Sequence, residues 1–206
     1  MVYETYRSYR GLSVDERVAS RRRKLLEVGF EVIGDPGLAD DPPIILLCAQ
    51  AEISSRYFQE SFCSKEELSS EVFDYAMTKF EDATSKSGRS DSEPLETMLA
   101  RVVSVVRNDV RIGHLLFSRR NMNPTVVSKR ADLAATLLTA LGIRIGRNSQ
   151  SVATIFPVSR QFLVGGIAYV LSTWIDEDFA TPEEIITKQL IQIIEGWPEL
   201  IDSQGA

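Results

Sequence analysis

The sequence predicts an all-α fold, on three observations. Helix-capping residues recur just ahead of apolar runs: Ser13 with Glu16, Ser64 with Glu67, Asn123 with Pro124, and Thr181 with Pro182 and Glu184. Between these starts the apolar residues return every three or four positions, the helical period. No pair of alternating runs joined by a tight turn gives a β-hairpin signal, and no internal repeat is present.

The 206 residues suffice for one domain or two small ones. The content, 44% hydrophobic and 25% charged, is that of a globular chain. A net charge of −6 argues against a wholly basic nucleic-acid coat protein, but a local basic patch is what DNA binding requires. The most apolar run, Phe162 to Leu171, is far short of the roughly 20 residues that cross a bilayer. No membrane association is therefore expected. The start of the sequence lacks a signal-peptide core, and Cys48 and Cys63 are the only cysteines. A reduced, cytoplasmic setting follows as the expectation.

In chain order, the first predicted helix follows Ser13. It carries Val18, Leu25, Val28, Val32 and Ile33 at helical spacing and stops at "GDPG". A short second helix starts near Pro42 or Pro43 and holds "IILLCAQA". Ser54 stands as N-cap of a third, with Ile53 and Phe58 at the staple positions. Ser64 and Glu67 box the start of a fourth that runs to about residue 84. "TSKSGRSDSEP" reads as a loop. Three more helices follow in "PLETMLARVVSVVR", "DVRIGHLLFSRR" and "NPTVVSKRADLAATLLTALGI", then a "GRNSQS" loop. A long apolar helix in "FPVSRQFLVGGIAYVLSTWIDED" and a last one in "TPEEIITKQLIQIIEGW" complete the chain.

The third helix is the informative one. At roughly 100° per residue, Phe58 and Phe62 fall together, while Arg56, Tyr57, Glu60 and Ser61 take the other arc. A two-turn helix pinned by two phenylalanines, with a polar-aromatic face outward, suits a DNA major groove. The same pattern also serves as a plain connecting helix in a bundle.

"RRRKLLEVGFEVIG", followed by "LLCAQAEISSRYFQESFCSKEELSSEVFDYAM", resembles the N-terminal DNA-binding domain of the TetR family of bacterial transcriptional regulators. "RYFQESF" followed by "SKEEL" is the most specific part, and the motifs cover residues 12–80. The resemblance implies a three-helix helix-turn-helix DNA-binding domain over residues 1–80 and a helical effector-binding and dimerisation domain over 81–206. Carried over by position, Ser55, Arg56, Tyr57, Gln59, Glu60 and Ser61 meet DNA, and Lys65 meets phosphate. Arg56 would donate to guanine and Glu60 would accept from cytosine. Ser54, through its cap, would offer a helix N-terminus to phosphate.

Three positions depart from the family pattern. Glu52 stands where glycine is usual in the turn, Gln59 where a tyrosine often contacts phosphate, and Pro43 and Ile45 where polar residues would face the backbone. Residues 1–80 hold ten Lys/Arg against fourteen Asp/Glu, with seven of the ten between Arg7 and Lys24. Arg7 and Arg10 are placed to act as an arm into the minor groove.

Enzyme chemistry finds little support. His114 is the only histidine, so neither a metal cluster nor a His-paired nucleophile has a second to draw on. No cofactor or metal is implied, and Gly165-Gly166 lies inside an apolar helix rather than in a phosphate loop. Cys48 reads as a small buried residue.

The resemblance further implies a pocket for a small-molecule effector among the middle helices. Met98, Val102, His114, Phe117, Met122, Phe156, Phe162 and Tyr169 are its candidate liners, consistent with an apolar or aromatic ligand. It also implies a two-fold interface built from the last two helices, with Gly165, Gly166, Ile186, Leu190 and Ile193 as candidate contacts. The expected protein is a homodimeric repressor that leaves its operator when the effector binds. The alternative is a module of the same fold that binds ligand or protein and has reduced or lost DNA binding.

Overall fold

A computed structural model of the chain describes residues 14–85, 94–130, 133 and 157–196. The described residues form helices and connections, with no strand. Helix α1 spans Val14–Gly34, α2 Ile44–Gln50, α3 Ser55–Ser61 and α4 Lys65–Ser85. Then come α5 over Leu95–Asn108, α6 over Val110–Leu116 and α7 over Pro124–Lys129. The last two are α8, Pro157–Asp176, and α9, Glu183–Glu195. The all-α expectation holds. Ser13, the "TSKSGRSDSEP" loop from residue 86 to 93, and the "GRNSQS" loop lie outside the described residues.

Helix α1 packs along α4 and also touches α2, α3 and α6. Two glycines make that approach feasible. A Cβ on Gly29 would stand 2.8 Å from Val72 Cγ2 of α4, and one on Gly34 would stand 2.8 Å from Arg111 Cβ of α6. The stripe of Leu25, Phe30, Val32 and Ile33 enters one continuous core with Leu68, Val72, Phe73 and Phe80 of α4. Helix α4 continues onto α5, α6 and α7, so together with α1, which reaches α6, it joins the N-terminal helices to those that follow.

Two local devices position the later helices. Asn123 caps α7 by accepting from the N–H groups of Thr125 (3.1 Å) and Val126 (3.2 Å), with Pro124 in the first turn, as expected. Arg130 then donates to the carbonyls of His114 (3.1 Å) and Leu115 (3.1 Å), closing the C-terminus of α6 with a cation. Burial pulls the Arg130 guanidinium below its ordinary range, against the opposing pull of Asp176 and Asp40.

Helix α9 lies along α5. Ile186, Leu190 and Ile194 are buried there. Pro182, not Thr181, takes the N-cap position of α9, without a side-chain bond. Thr181 contributes its carbonyl instead, which accepts from Trp174 Nε1 at 2.6 Å. No helix among the described residues is long and apolar enough to cross a membrane.

Candidate nucleic-acid interface

The connection between α2 and α3 is a complete Schellman turn. Ile53 N–H donates to Cys48 O (2.9 Å) and Glu52 N–H to Ala49 O (3.1 Å). Such a turn requires a left-handed residue after the cap, and Glu52 fills it at φ 53°. Its carboxylate reaches Lys24 Nζ of α1 at 3.0 Å, and the hydrogen bond and charge of that lysine hold it below the usual carboxylate range. Cys48 is buried beneath the turn, and burial pushes its thiol up against an opposing hydrogen bond with Ser55.

Phe58 and Phe62, each 1% exposed, pin α3 to the core with their rings 5.8 Å apart. Burying one such side chain stabilises by about 1.5–3 kcal/mol. Ser54 stands at the N-cap of α3, but its side chain makes no cap bond. The start of α4 is better tied. Ser64 Oγ accepts from Glu67 N–H (3.1 Å), and the Glu67 carboxylate accepts from Cys63 N–H (2.6 Å). The expected box forms with its return bond one residue earlier than the usual pattern.

On the outer face of α3, Ser55, Arg56, Tyr57, Gln59 and Glu60 are exposed, and the Arg56 side chain is 86% open. Ser61 departs from the wheel reading. It is 5% exposed and its hydroxyl donates to Tyr57 O at 2.9 Å. Ser61 stands about 60° from Phe58 on the wheel, close enough to be drawn under α1. Arg22 completes that cover. It bonds the Ser61 carbonyl, Glu67 (3.2 Å) and Glu71, and its guanidinium lies 4.1 Å above the Phe62 ring.

The charges of this surface are largely paired within the chain. Arg21 Nη2 meets Glu60 Oε2 at 3.2 Å, and its guanidinium lies 4.3 Å over the Tyr57 ring. Arg56 Nε stands 3.6 Å from Glu60 Oε1. Lys65 Nζ is held by Asp41 Oδ1 at 2.7 Å. Sequence reading missed Arg21, Arg22 and Asp41 as parts of this surface. The signal was present for the arginines: both sit three or four positions from Val18 and Leu25, on the partly buried side of α1. Arg7 and Arg10 lie outside the described residues.

The candidate effector liners divide by exposure. Val102, His114 and Phe117 are buried in the core. Met98 is half-buried. Met122, Phe162 and Tyr169 are 69%, 62% and 60% exposed. Phe156 lies outside the described residues. Helical spacing alone did not separate the inward positions from the outward ones, because these helices carry apolar residues on both sides. Among the described residues, a groove of about 630 Å³ runs between α5 and α9, past Glu96, Ala100, Glu184, Lys188 and Ile191.

His114 belongs to a polar junction. Its Nε2 lies 3.1 Å from Asp40 Oδ1, and Asp40 Oδ2 accepts from Met122 N–H at 3.0 Å. Asn123 Nδ2 donates to Asp40 O (3.0 Å) and Ser69 Oγ (3.3 Å). The loop that leads into α2 is thereby tied to α4, α6 and α7. Among the described residues, no group of histidine, cysteine and carboxylate side chains could hold a metal.

The candidate interface residues also divide. Ile186 (8% exposed) and Leu190 (4%) face the chain's own core, because α5 covers that side of α9. Ile193 is 57% exposed, and Gly165 and Gly166 lie on the open side of α8.

The fold is similar to that of a transcriptional regulator from Rhodococcus sp. Rha1. The TM-score is 0.62 at 17% sequence identity, covering 85% of this chain and 96% of that one. At that identity the likeness establishes a common fold. No protein-family model and no curated protein matches the chain.

Proposed function

We propose that the protein is a DNA-binding transcriptional regulator of the TetR type. In this reading it is a cytoplasmic homodimer that represses its target and is released from the operator by a small molecule. Residues 1–80 would be the DNA-binding domain and 81–206 the effector and dimerisation domain, α4 running from one into the other. The observation that carries the reading is the α2–turn–α3 unit. A Schellman turn at Glu52 and the buried Phe58–Phe62 pair present Arg56, Tyr57 and Gln59 outward on a fixed two-turn helix. The fold shared with the Rhodococcus regulator supports the same reading.

The proposed DNA surface comprises Arg7, Arg10, Ser54, Ser55, Arg56, Tyr57, Gln59 and Lys65. Phosphate has to displace the Asp41 carboxylate, which is half exposed, from Lys65. An effector acting at His114 or Phe117 would reach the DNA face through Asp40, limited by its differential affinity for the two states.

The test is selection from a randomised duplex library, followed by gel shift against the enriched sequence. Arg56→Ala should cost about 1–3 kcal/mol of binding and relax one base position per half-site. Lys65→Ala should weaken all sequences alike and lower the salt slope by about one. No enriched duplex for the parent protein would overturn the reading.

One observation favours the alternative, a module of the same fold without DNA binding. Ile45 (72% exposed) and Leu46 (40%) stand open on α2, where phosphate-facing polar groups would be expected. That alternative predicts a folded dimer that selects no duplex.

A further inference from the structure

Glu60 was assigned above, from its position alone, as an acceptor for cytosine. Its surroundings argue otherwise. One carboxylate oxygen, Oε2, accepts from Arg21 Nη2 at 3.2 Å, and the other, Oε1, faces Arg56 Nε in a looser ion pair at 3.6 Å. A cytosine amino group would have to displace Arg21 from Oε2 or draw Oε1 away from the facing Arg56 charge. Arg21 is itself fixed. Its side chain is 24% exposed, its Nη2 bonds Glu60 and its guanidinium covers Tyr57. Order therefore decreases outward, from Arg21 on α1, through Glu60 at 39% exposure, to Arg56 at 86%.

Arg56 touches Glu60 by Nε, on the side edge of the guanidinium. The end edge, Nη1 with Nη2, has no partner among the described residues. Two parallel donors are what guanine O6 and N7 require. An arginine N-terminal to a glutamate is the weaker i,i+4 order on a helix, so the pair would hold poorly unaided. Arg21 supplies the missing restraint by holding the carboxylate from a second helix.

From this we infer that Glu60 is a positioning residue, anchored by Arg21, that orients Arg56 to read guanine. The inference rests on the DNA-binding reading above. It changes what the interface specifies: α3 reads one guanine through a buttressed arginine rather than a guanine and a cytosine through two independent side chains. The site becomes narrower in sequence, and less of its discrimination is lost to rotamer freedom.

The experiment is selection from a randomised duplex library with the full-length parent, Arg56→Ala, Glu60→Ala, Glu60→Gln, Arg21→Gln and the Arg56→Ala/Glu60→Ala double variant. Thermal melts establish that each is folded. Arg56→Ala should lose about ten- to hundredfold of guanine preference at one position. Glu60→Ala should relax that same position by about two- to fivefold, Glu60→Gln by less, and Arg21→Gln should act there too. The double variant should be no worse than Arg56→Ala, since the buttress has nothing left to orient. Glu60→Ala relaxing a different, cytosine position, or leaving the Arg56 position unmoved, overturns the inference while leaving the DNA reading intact. A parent that selects no duplex overturns both.

Discussion

Glu52 illustrates how a single residue can hold a conformation against its own preference. Its left-handed φ of 53° is set by two turn hydrogen bonds, and its only side-chain compensation is a solvent-exposed pair with Lys24. An exposed pair of this kind contributes little, while a non-glycine residue in this region carries a steric cost. Glu52→Gly should therefore raise Tm by about 2–4 °C, read by calorimetry. An unchanged or lowered Tm would mean that the lysine pair, or the extra freedom of glycine in the unfolded chain, outweighs the relief. This position was legible in the sequence through the family resemblance, which has a glycine at this point of the turn. Ser61 was not. Its burial depends on Arg22 arriving from α1, thirty-nine positions away in sequence.

At the scale of helices, the cap chemistry gave the starts of α4 and α7, where the capping side chain accepts from the first-turn N–H groups. Asn123 is the strongest case. It is 1% exposed, caps α7 through two N–H groups, and donates to Asp40 O and Ser69 Oγ. Asn123→Ala should cost about 2–4 kcal/mol by denaturant unfolding, combining a lost cap with unpaired buried groups. A loss below 1 kcal/mol would show that water replaces those bonds. The α4 box makes a pH prediction. Glu67 is held below the usual carboxylate range first by the Cys63 N–H and then by Arg22. A carboxylate lowered in the folded state stabilises above its unfolded pKa and loses that contribution as pH falls through its folded value. The stability gap between the parent and Glu67→Gln should thus be present at neutral pH and close as the pH falls well below the usual carboxylate range. A gap that persists there would assign the effect to shape rather than charge. Cap prediction failed at Ser54 and Thr181, where the position or the neighbouring residue was right and the bond was absent or made by backbone. A side-chain oxygen signals where a helix can begin, not whether its hydroxyl turns inward.

For the whole molecule, the question is what covers α8. Periodicity showed it to be apolar around most of its circumference but could not say which side meets the chain's own core. The structure divides it: Leu163, Val164, Ile167, Leu171 and Trp174 are buried, whereas Phe162, Gly165, Gly166 and Tyr169 lie open along the other side. The α9 candidates divide for the same reason, Ile186 and Leu190 going inward and Ile193 outward. An open strip with two large aromatics flanking two glycines allows a second helix to approach closely, and two-fold symmetry would pair the strip with itself. Gly166 provides the test, because a Cβ placed there meets nothing within 4 Å. An arginine is therefore accommodated by the isolated chain and becomes costly only when a partner buries its charge. Gly166→Arg should keep the parent's circular dichroism while weakening dimerisation by about 3 kcal/mol or more, roughly a hundredfold in dissociation constant. Sedimentation velocity over a range of concentrations measures this directly. Operator affinity should fall with it, since two half-sites are held only by a dimer. A parent that sediments as a monomer at micromolar concentration, or an arginine variant that stays fully dimeric, would remove this strip as the interface.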